Sequence, residues 1–503
     1  LTLKIIDVGA HMTIGYLILA FLLSAGLFLN RNRKAAYFLT GLFLLLQLVF
    51  TVYAGMHLRS TDSLYFTFDA LGFLLLATLG VVAVPAAFHS ALYIERHEET
   101  PASRGIYLGS LVLLITAIGA GYLANHIAVV WIFTEITTLS ASALIYHHRN
   151  KLALEGTWKY VFICALSISF VFIGILFLSL SLRHAGSTEL SWANLLAGSS
   201  QLNPFWLKLA WLFIFTGFTV KLGLVPMFTA GIDAKDTAPG PAGALLASVL
   251  MNLGFVGVFR LYTVVAHTSI HGWVNVVTGS AAFLSVFVAA AYMIRVRNVK
   301  RMFAYSGVQH MGLVMLGVVA GGVGYYAAIL HIILHAFVKS SLFFQYNQLY
   351  RVFQSKSLSY MGGYFRLHPT GAMVLLLGFL SAAAMPPSGL FVSELMIFRS
   401  LLEARLLLPL VAVALLLTMI LWAFGRNVFR ILFLPPAGFE APPAKPAPAW
   451  ESYSQFFLLA LAVALGFFPP EGFVELIRES VALLPVNPPE VLIPLPASGA
   501  LMP

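Results

Sequence analysis

The chain has 503 residues, of which 60% are hydrophobic and only 10% charged, and its mean hydropathy is +0.91. A soluble domain carries about 25% charged residues, so the composition excludes a soluble globular protein and indicates an all-α polytopic membrane protein. The net charge of +10 is spread through short segments between apolar runs, which fits membrane topology better than nucleic-acid binding. The single Cys164 excludes a disulfide framework and a cysteine-based metal cluster.

Apolar runs lie near residues 13–30, 34–55, 68–94, 105–123, 126–146, 156–182, 204–229, 240–263, 272–294, 300–318, 323–350, 370–399, 406–432 and 453–468. This predicts fourteen transmembrane helices, since a bilayer core needs about 20 residues of helix. The first run leads straight into further spans, so no cleavable leader is expected. Alternate loops carry Arg31, Arg33 and Lys34, then Arg96 and Arg104, Arg149 and Lys151, Lys235, Arg295 to Arg301, Arg351 to Arg366, and Arg426 to Lys445. The positive-inside rule makes these cytoplasmic and puts both termini on the opposite side. Residues 434–452 read as a Pro-rich linker, and Glu471 to Leu484 as an amphipathic stretch in the tail. There is no Gly-rich phosphate loop and no cysteine cluster, so no cofactor, metal or redox centre is expected.

Two spans contain breaks. In the seventh, Lys221 is followed by Gly223 and Pro226; in the twelfth, Met385-Pro386-Pro387-Ser388-Gly389 precedes Glu394. Proline removes a helix donor, and a lysine at bilayer depth costs about 2.5–3.5 kcal/mol even on lenient scales. A single such lysine can snorkel to the surface, but a second break with a second charge favours a function. Spans four to eight and nine to thirteen each hold five helices, and the fourth of each set is the broken one. An odd number of spans inverts the second copy, and broken helices at corresponding places of two inverted repeats point to an ion path. The expected organisation is residues 1–104 as a three-helix segment, 105–263 and 272–433 as two inverted half-channels, and 434–503 as linker, last helix and tail.

Glu135 lies nine residues inside the fifth span, roughly 13 Å deep, and Lys221 lies roughly 24 Å along its own helix. They are expected to pair, either as part of an ion path or as a static ion pair. His331, His335 and Lys339 are spaced by four and so share one helix face. Histidine titrates near neutral pH, so this stripe suits proton transfer. It suits metal binding poorly, because the third position is a lysine and no acid is near. His310, at mid-depth in the tenth span, is expected either to extend the path or to be a satisfied core histidine.

Several segments occur in a specific order: Trp131-Ile-Phe-Thr-Glu135, Glu155-Gly-Thr-Trp158-Lys159-Tyr160, Lys221-Leu-Gly-Leu-Val-Pro226, Ala238-Pro239-Gly-Pro-Ala-Gly-Ala-Leu-Leu246, Lys300-Arg301-Met-Phe-Ala-Tyr305-Ser306, His310-Met-Gly312, His335-Ala-Phe-Val-Lys339-Ser-Ser-Leu-Phe343 and Met385-Pro-Pro-Ser-Gly-Leu-Phe-Val-Ser-Glu394. Over about residues 65–430 the chain resembles the antiporter-like, proton-translocating membrane subunits of respiratory complex I, Mrp antiporters and membrane-bound hydrogenases. Trp158-Lys159-Tyr160 and Pro386-Pro387 look most like the F-type subunits of hydrogenase-4. The resemblance implies a proton path through Glu135, Lys221, His335, Lys339 and Glu394, driven by a partner's redox reaction. Many members carry a bridging lysine in the eighth span, where this chain has Leu250-Met251-Asn252. Asn252 can hold water but cannot carry a proton as a cation. A long lateral helix after the last span, as in the largest complex I subunit, is not expected.

The expected function is a proton-translocating subunit of a redox-driven complex in a prokaryotic cytoplasmic membrane. Its partners are other membrane and peripheral subunits and the lipid bilayer, with protons as cargo and Na⁺ left open. The rival readings are an Mrp-type cation/proton antiporter subunit and the membrane partner of a bicarbonate-uptake complex.

Overall fold

The computed structural model describes residues 12–183, 188–435 and 447–484. The N-terminal segment holds α1 (Met12–Leu29), α2 (Arg33–Met56), a short antiparallel ribbon of β1 (Thr61–Ser63) and β2 (Phe66–Thr67), and α3 (Ala70–Arg96). The first five-span set follows: α4 (Pro101–Leu123), α5 (Ile127–Ile145), α6 (Lys151–Arg183), the short α7 (Trp192–Ala197), α8 (Pro204–Leu222), α9 (Thr229–Thr237), α10 (Gly240–Ala247) and α11 (Val249–Val265). The second set comprises α12 (His271–Arg295), α13 (Val299–Ala320), α14 (Val323–Phe353), the short α15 (Tyr364–Leu367), α16 (Pro369–Ala382), α17 (Gly389–Glu403) and α18 (Leu407–Phe433). Helices α19 (Tyr453–Phe467) and α20 (Glu471–Val481) are the last among the described residues, α20 matching the amphipathic stretch expected of the tail.

Among the described residues, thirteen helices are long and apolar enough to cross a membrane. The remaining expected crossing is the broken twelfth span, whose halves α16 and α17 have only 14 and 15 residues. Of the Pro-rich linker, residues 436–446 lie outside the described residues, as do both chain termini.

Both breaks fall where the prolines are. Helix α8 ends at Leu222 and Gly223 adopts φ +82°, the left-handed region that closes a helix C-terminus. Residues 223–228 are non-helical and include a cis Val225–Pro226 bond. Helix α16 ends at Ala382, a cis Pro386–Pro387 bond follows, and Ser388 caps α17 by accepting a bond from the Leu390 amide at 3.1 Å. Gly389 is required here for a steric reason. A Cβ on Gly389 would collide with the Ala462 carbonyl, and one on Gly466 with the Gly389 backbone, so α17 starts in backbone contact with α19. A third irregularity, at Ser248, separates α10 from α11 (φ −126°, ψ −97°). The Ser340 hydroxyl donates to the Ser248 oxygen at 3.0 Å, tying this point to α14.

Helix α14 lies at the centre, packed against α10, α13, α16, α17 and α19. The spans formed by α10–α11, α13 and α14 are almost entirely buried in protein, whereas fewer than a third of the residues in the apolar windows of α1, α2 and α18 are buried. The outer surface therefore suits lipid or neighbouring subunits, and the polar side chains of the inner spans are held away from it.

Candidate ion-translocation axis

At one end of the bundle, α9 and α13 are joined by charge. Arg301 donates to Asp236 at 3.0 Å and to Asp233 at 2.5 Å, and Lys356 reaches Asp236 at 3.4 Å. Asn298, which caps α13, also donates to Asp236 at 2.8 Å. At the same end Glu451, with a side chain only 1% exposed, is held by Arg351 at 3.2 Å and by Arg96. A cavity of about 1250 Å³ lies among these groups, its wall including Arg96, Arg351, Lys300 and the segment Thr237, Pro239 and Gly240.

Further in, Lys221 stands in the last turn of α8, 4% exposed. Its ammonium donates to the Thr138 hydroxyl at 2.9 Å and to the Tyr160 hydroxyl at 2.9 Å. It does not form the direct ion pair with Glu135 that the sequence suggested: no such pair lies within 4 Å among the described residues. Glu135 sits on α5 one turn before Thr138, close enough for its charge to act on Lys221, with one carboxylate oxygen buried and without a hydrogen-bond partner. Two hydroxyls thus replace the carboxylate as direct ligands of the lysine. Thr138 and Tyr160 were missed in the sequence, although one lies a helical turn from Glu135 and the other closes the Trp158-Lys159-Tyr160 motif.

In the second set, His331, His335 and Lys339 are all fully buried on α14. Lys339 donates to the Phe303 carbonyl at 3.0 Å and to the Ser306 hydroxyl. His310 on α13 and His331 share a hydrogen bond between Nδ1 and Nε2 at 3.0 Å, so each ring's bonding nitrogen is engaged with the other rather than free for a metal. The His310 ring also stands edge-on to that of His335, with centroids 5.1 Å apart. The other nitrogen of His331, Nδ1, meets the Ser393 hydroxyl at 2.9 Å. Ser393 is the neighbour of Glu394 in the first turns of α17, and one Glu394 carboxylate oxygen is buried without a hydrogen-bond partner. His310 therefore belongs to a polar chain and is not an isolated core histidine. Both nitrogens of His335 and both amide atoms of Asn252 are likewise buried without partners among the described residues.

Lys235 departs from its expected place. The sequence put it in a cytoplasmic loop, but it is buried on α9, 3% exposed, with its ammonium 3.2 Å from the Met251 sulfur. A short amphipathic helix directly after a break resembles a loop in sequence, because nine residues are too few to show a period.

Buried ionisable and hydroxyl groups thus form one cluster on α5, α6 and α8 and a second on α13, α14 and the broken α17. That arrangement can move protons between groups with little change in the backbone. Residues 124–420 match the family described as NADH:quinone oxidoreductase/Mrp antiporter, TM. The chain belongs to this family. It is an antiporter-like, multi-pass membrane subunit. It is 25% identical over 429 residues to a hydrogenase-4 component F homolog from Methylacidiphilum infernorum, covering 84% of this chain and 89% of that one. Its fold is that of a chain in the membrane-bound sulfane sulfur reductase, an archaeal respiratory membrane complex, with a TM-score of 0.80 at 19% identity, covering 94% and 97% of the two chains. The Mrp complex from Dietzia sp. contains a chain of the same fold, with a TM-score of 0.80 at 14% identity and coverage of 95% and 98%.

Proposed function

We propose that this chain translocates protons as one subunit of a redox-driven membrane complex of the hydrogenase or complex I-like kind, in a prokaryotic cytoplasmic membrane. The observation that carries this reading is the hydrogen-bonded sequence His310–His331–Ser393, which ends one residue before Glu394 on the helix that follows the second break. Imidazoles and hydroxyls both donate and accept, so a proton entering at one end can leave at the other by exchange of bonds. Residues 105–263 and 272–433 then act as the two half-channels, with Lys221 as the charge of the first and Lys339 and Glu394 as those of the second. Lys221 is ligated only by neutral hydroxyls, and Glu135 acts on it from a distance. A small displacement of Glu135 then changes how strongly Lys221 holds its proton. Lys339 is likewise ligated only by a carbonyl and a hydroxyl.

The end of the bundle holding Arg96, Lys300, Arg351 and Lys356 faces the cytoplasm in this reading, because basic residues collect there. The partners are the redox and membrane subunits of the complex. The test is purification of the tagged chain in mild detergent, with mass spectrometry of the co-purifying proteins and donor-driven proton uptake after reconstitution. Co-purification of redox subunits together with uptake supports the reading. The likeness to the Mrp chain favours a second reading, a cation/proton antiporter subunit, whose signature is proton movement driven by a Na⁺ or K⁺ gradient without redox partners.

A further inference from the structure

The axis has a gap between Lys221 in the first half and His335 and Lys339 in the second, and Lys235 stands in it. A Cβ placed on Gly231 would be 3.7 Å from the Lys235 ammonium and 4.0 Å from the Val220 carbonyl oxygen, so the ammonium and the residue beside Lys221 both border Gly231. On its other side is Met251, whose sulfur accepts from it at 3.2 Å. A Cβ placed on Gly307 would be 3.7 Å from that same sulfur and 4.0 Å from His335 Nε2. Lys235 is close enough for its charge to act on both His335 and Lys339.

The surroundings leave Lys235 unneutralised. No carboxylate lies within 4 Å of its ammonium among the described residues, and a thioether is a weak acceptor. From α14, His335 and Lys339 face it. From α13, Lys300 and Arg301 are committed to Asp233, Asp236 and backbone carbonyls. From α6, Tyr160 is committed to Lys221, and α10 carries no titratable group. The packed elements also carry the ionisable side chains of Glu135 on α5, Cys164 on α6, Lys221 on α8 and His310 on α13, the last beside His335. A buried cation paired with neither acid nor carbonyl contributes little to stability. A structural role therefore accounts poorly for it.

We infer that Lys235 carries the translocated proton between the two half-channels, in place of a charge that Asn252 in the eighth span does not supply. This rests on the proton-translocating reading above. In the step, the Lys235 ammonium gives one proton through intervening water to His335 and becomes a neutral amine. The amine then takes one proton from the Lys221 ammonium. No electrons move. The cavity wall at Thr237, two residues beyond Lys235, brings solvent from the basic end of the bundle close to this point.

The test uses the intact complex, purified through this chain and reconstituted in vesicles with pyranine inside as the proton probe and a K⁺–valinomycin diffusion potential as the drive. Lys235→Met is expected to slow proton entry at least about tenfold, as loss of a positioned proton carrier does. Lys235→His is expected to retain entry with its pH optimum moved downward, since imidazole titrates near ~6.5 and an amine near ~10.4. Native-rate entry through Lys235→Met, while Lys221→Met blocks it, overturns the inference. If Lys235→Met does not assemble, Lys235→His decides: a displaced pH profile supports the carrier role, and an unchanged one assigns Lys235 to structure. Native complex that moves no protons under this potential or with its donor overturns the underlying reading itself, an outcome distinct from native entry that is indifferent to residue 235.

Discussion

The Nδ1 atom of His331 and the hydroxyl of Ser393 lie 2.9 Å apart, and this contact joins the central helix α14 to the broken helix α17. Ser393 in turn donates to the Leu390 carbonyl at 3.0 Å, within the first turn of α17. The bonded sequence therefore ends on a hydroxyl held by the helix that the break creates, one residue before Glu394. Ser393→Ala removes the link and leaves His331 Nδ1 unpaired, costing about 1–3 kcal/mol of stability. Proton uptake by vesicles of the intact complex is expected to fall several-fold, with assembly intact on native gels. Ser393→Thr keeps the hydroxyl and is expected to recover most of the rate.

The ligation of Lys221 by hydroxyls gives a second prediction. Tyr160→Phe and Thr138→Val each remove one of its two direct bonds. Each is expected to reduce proton uptake as much as Glu135→Gln does, because the carboxylate acts from a distance and the hydroxyls act in contact. A double-mutant cycle between Glu135→Gln and Lys221→Met should show a coupling below the roughly 3–5 kcal/mol lost when a contacting buried pair is broken. A coupling of that full size, read from thermal unfolding of the complex, would show that the two groups come into contact in the working protein.

The start of α17 is sensitive to bulk. Gly389→Val places side-chain atoms where the Ala462 carbonyl stands, and overpacking of this kind costs about 1–3 kcal/mol or more. The variant is expected to lower the yield of folded protein and its thermal midpoint in detergent. Gly472→Ala, at a site where a Cβ meets nothing, is expected to leave both unchanged.

Glu451 offers a test of the basic end. Its carboxylate is shared between Arg96 and Arg351, so either arginine alone can be lost with modest effect. Loss of both leaves a buried uncompensated charge and is expected to cost about 3–5 kcal/mol. Glu451→Gln in the double-arginine variant removes that charge and should recover a large part of the loss. Urea or thermal unfolding of the four proteins measures this directly.

Much of this architecture was legible in the sequence because a bilayer admits few solutions. Backbone groups in lipid have to bond within their own helix, so twenty-residue apolar runs become spans. Proline together with glycine then marks the breaks at Pro226 and at Pro386 and Pro387, whereas Pro85 is carried inside the continuous α3. Spacing also fixed which groups share a face of α14. The tertiary structure decided the partners. Whether Lys221 meets Glu135 or Thr138 depends on a rotation of α5 against α8 that no local pattern records. The bond from His331 to Ser393 joins residues 62 positions apart on different helices. Lys235 is the extreme case: in sequence it is one more basic residue between two apolar runs. Only the packing of α9 under Met251 buries its ammonium, because burial is a property of the surrounding helices and not of the nine residues that carry it.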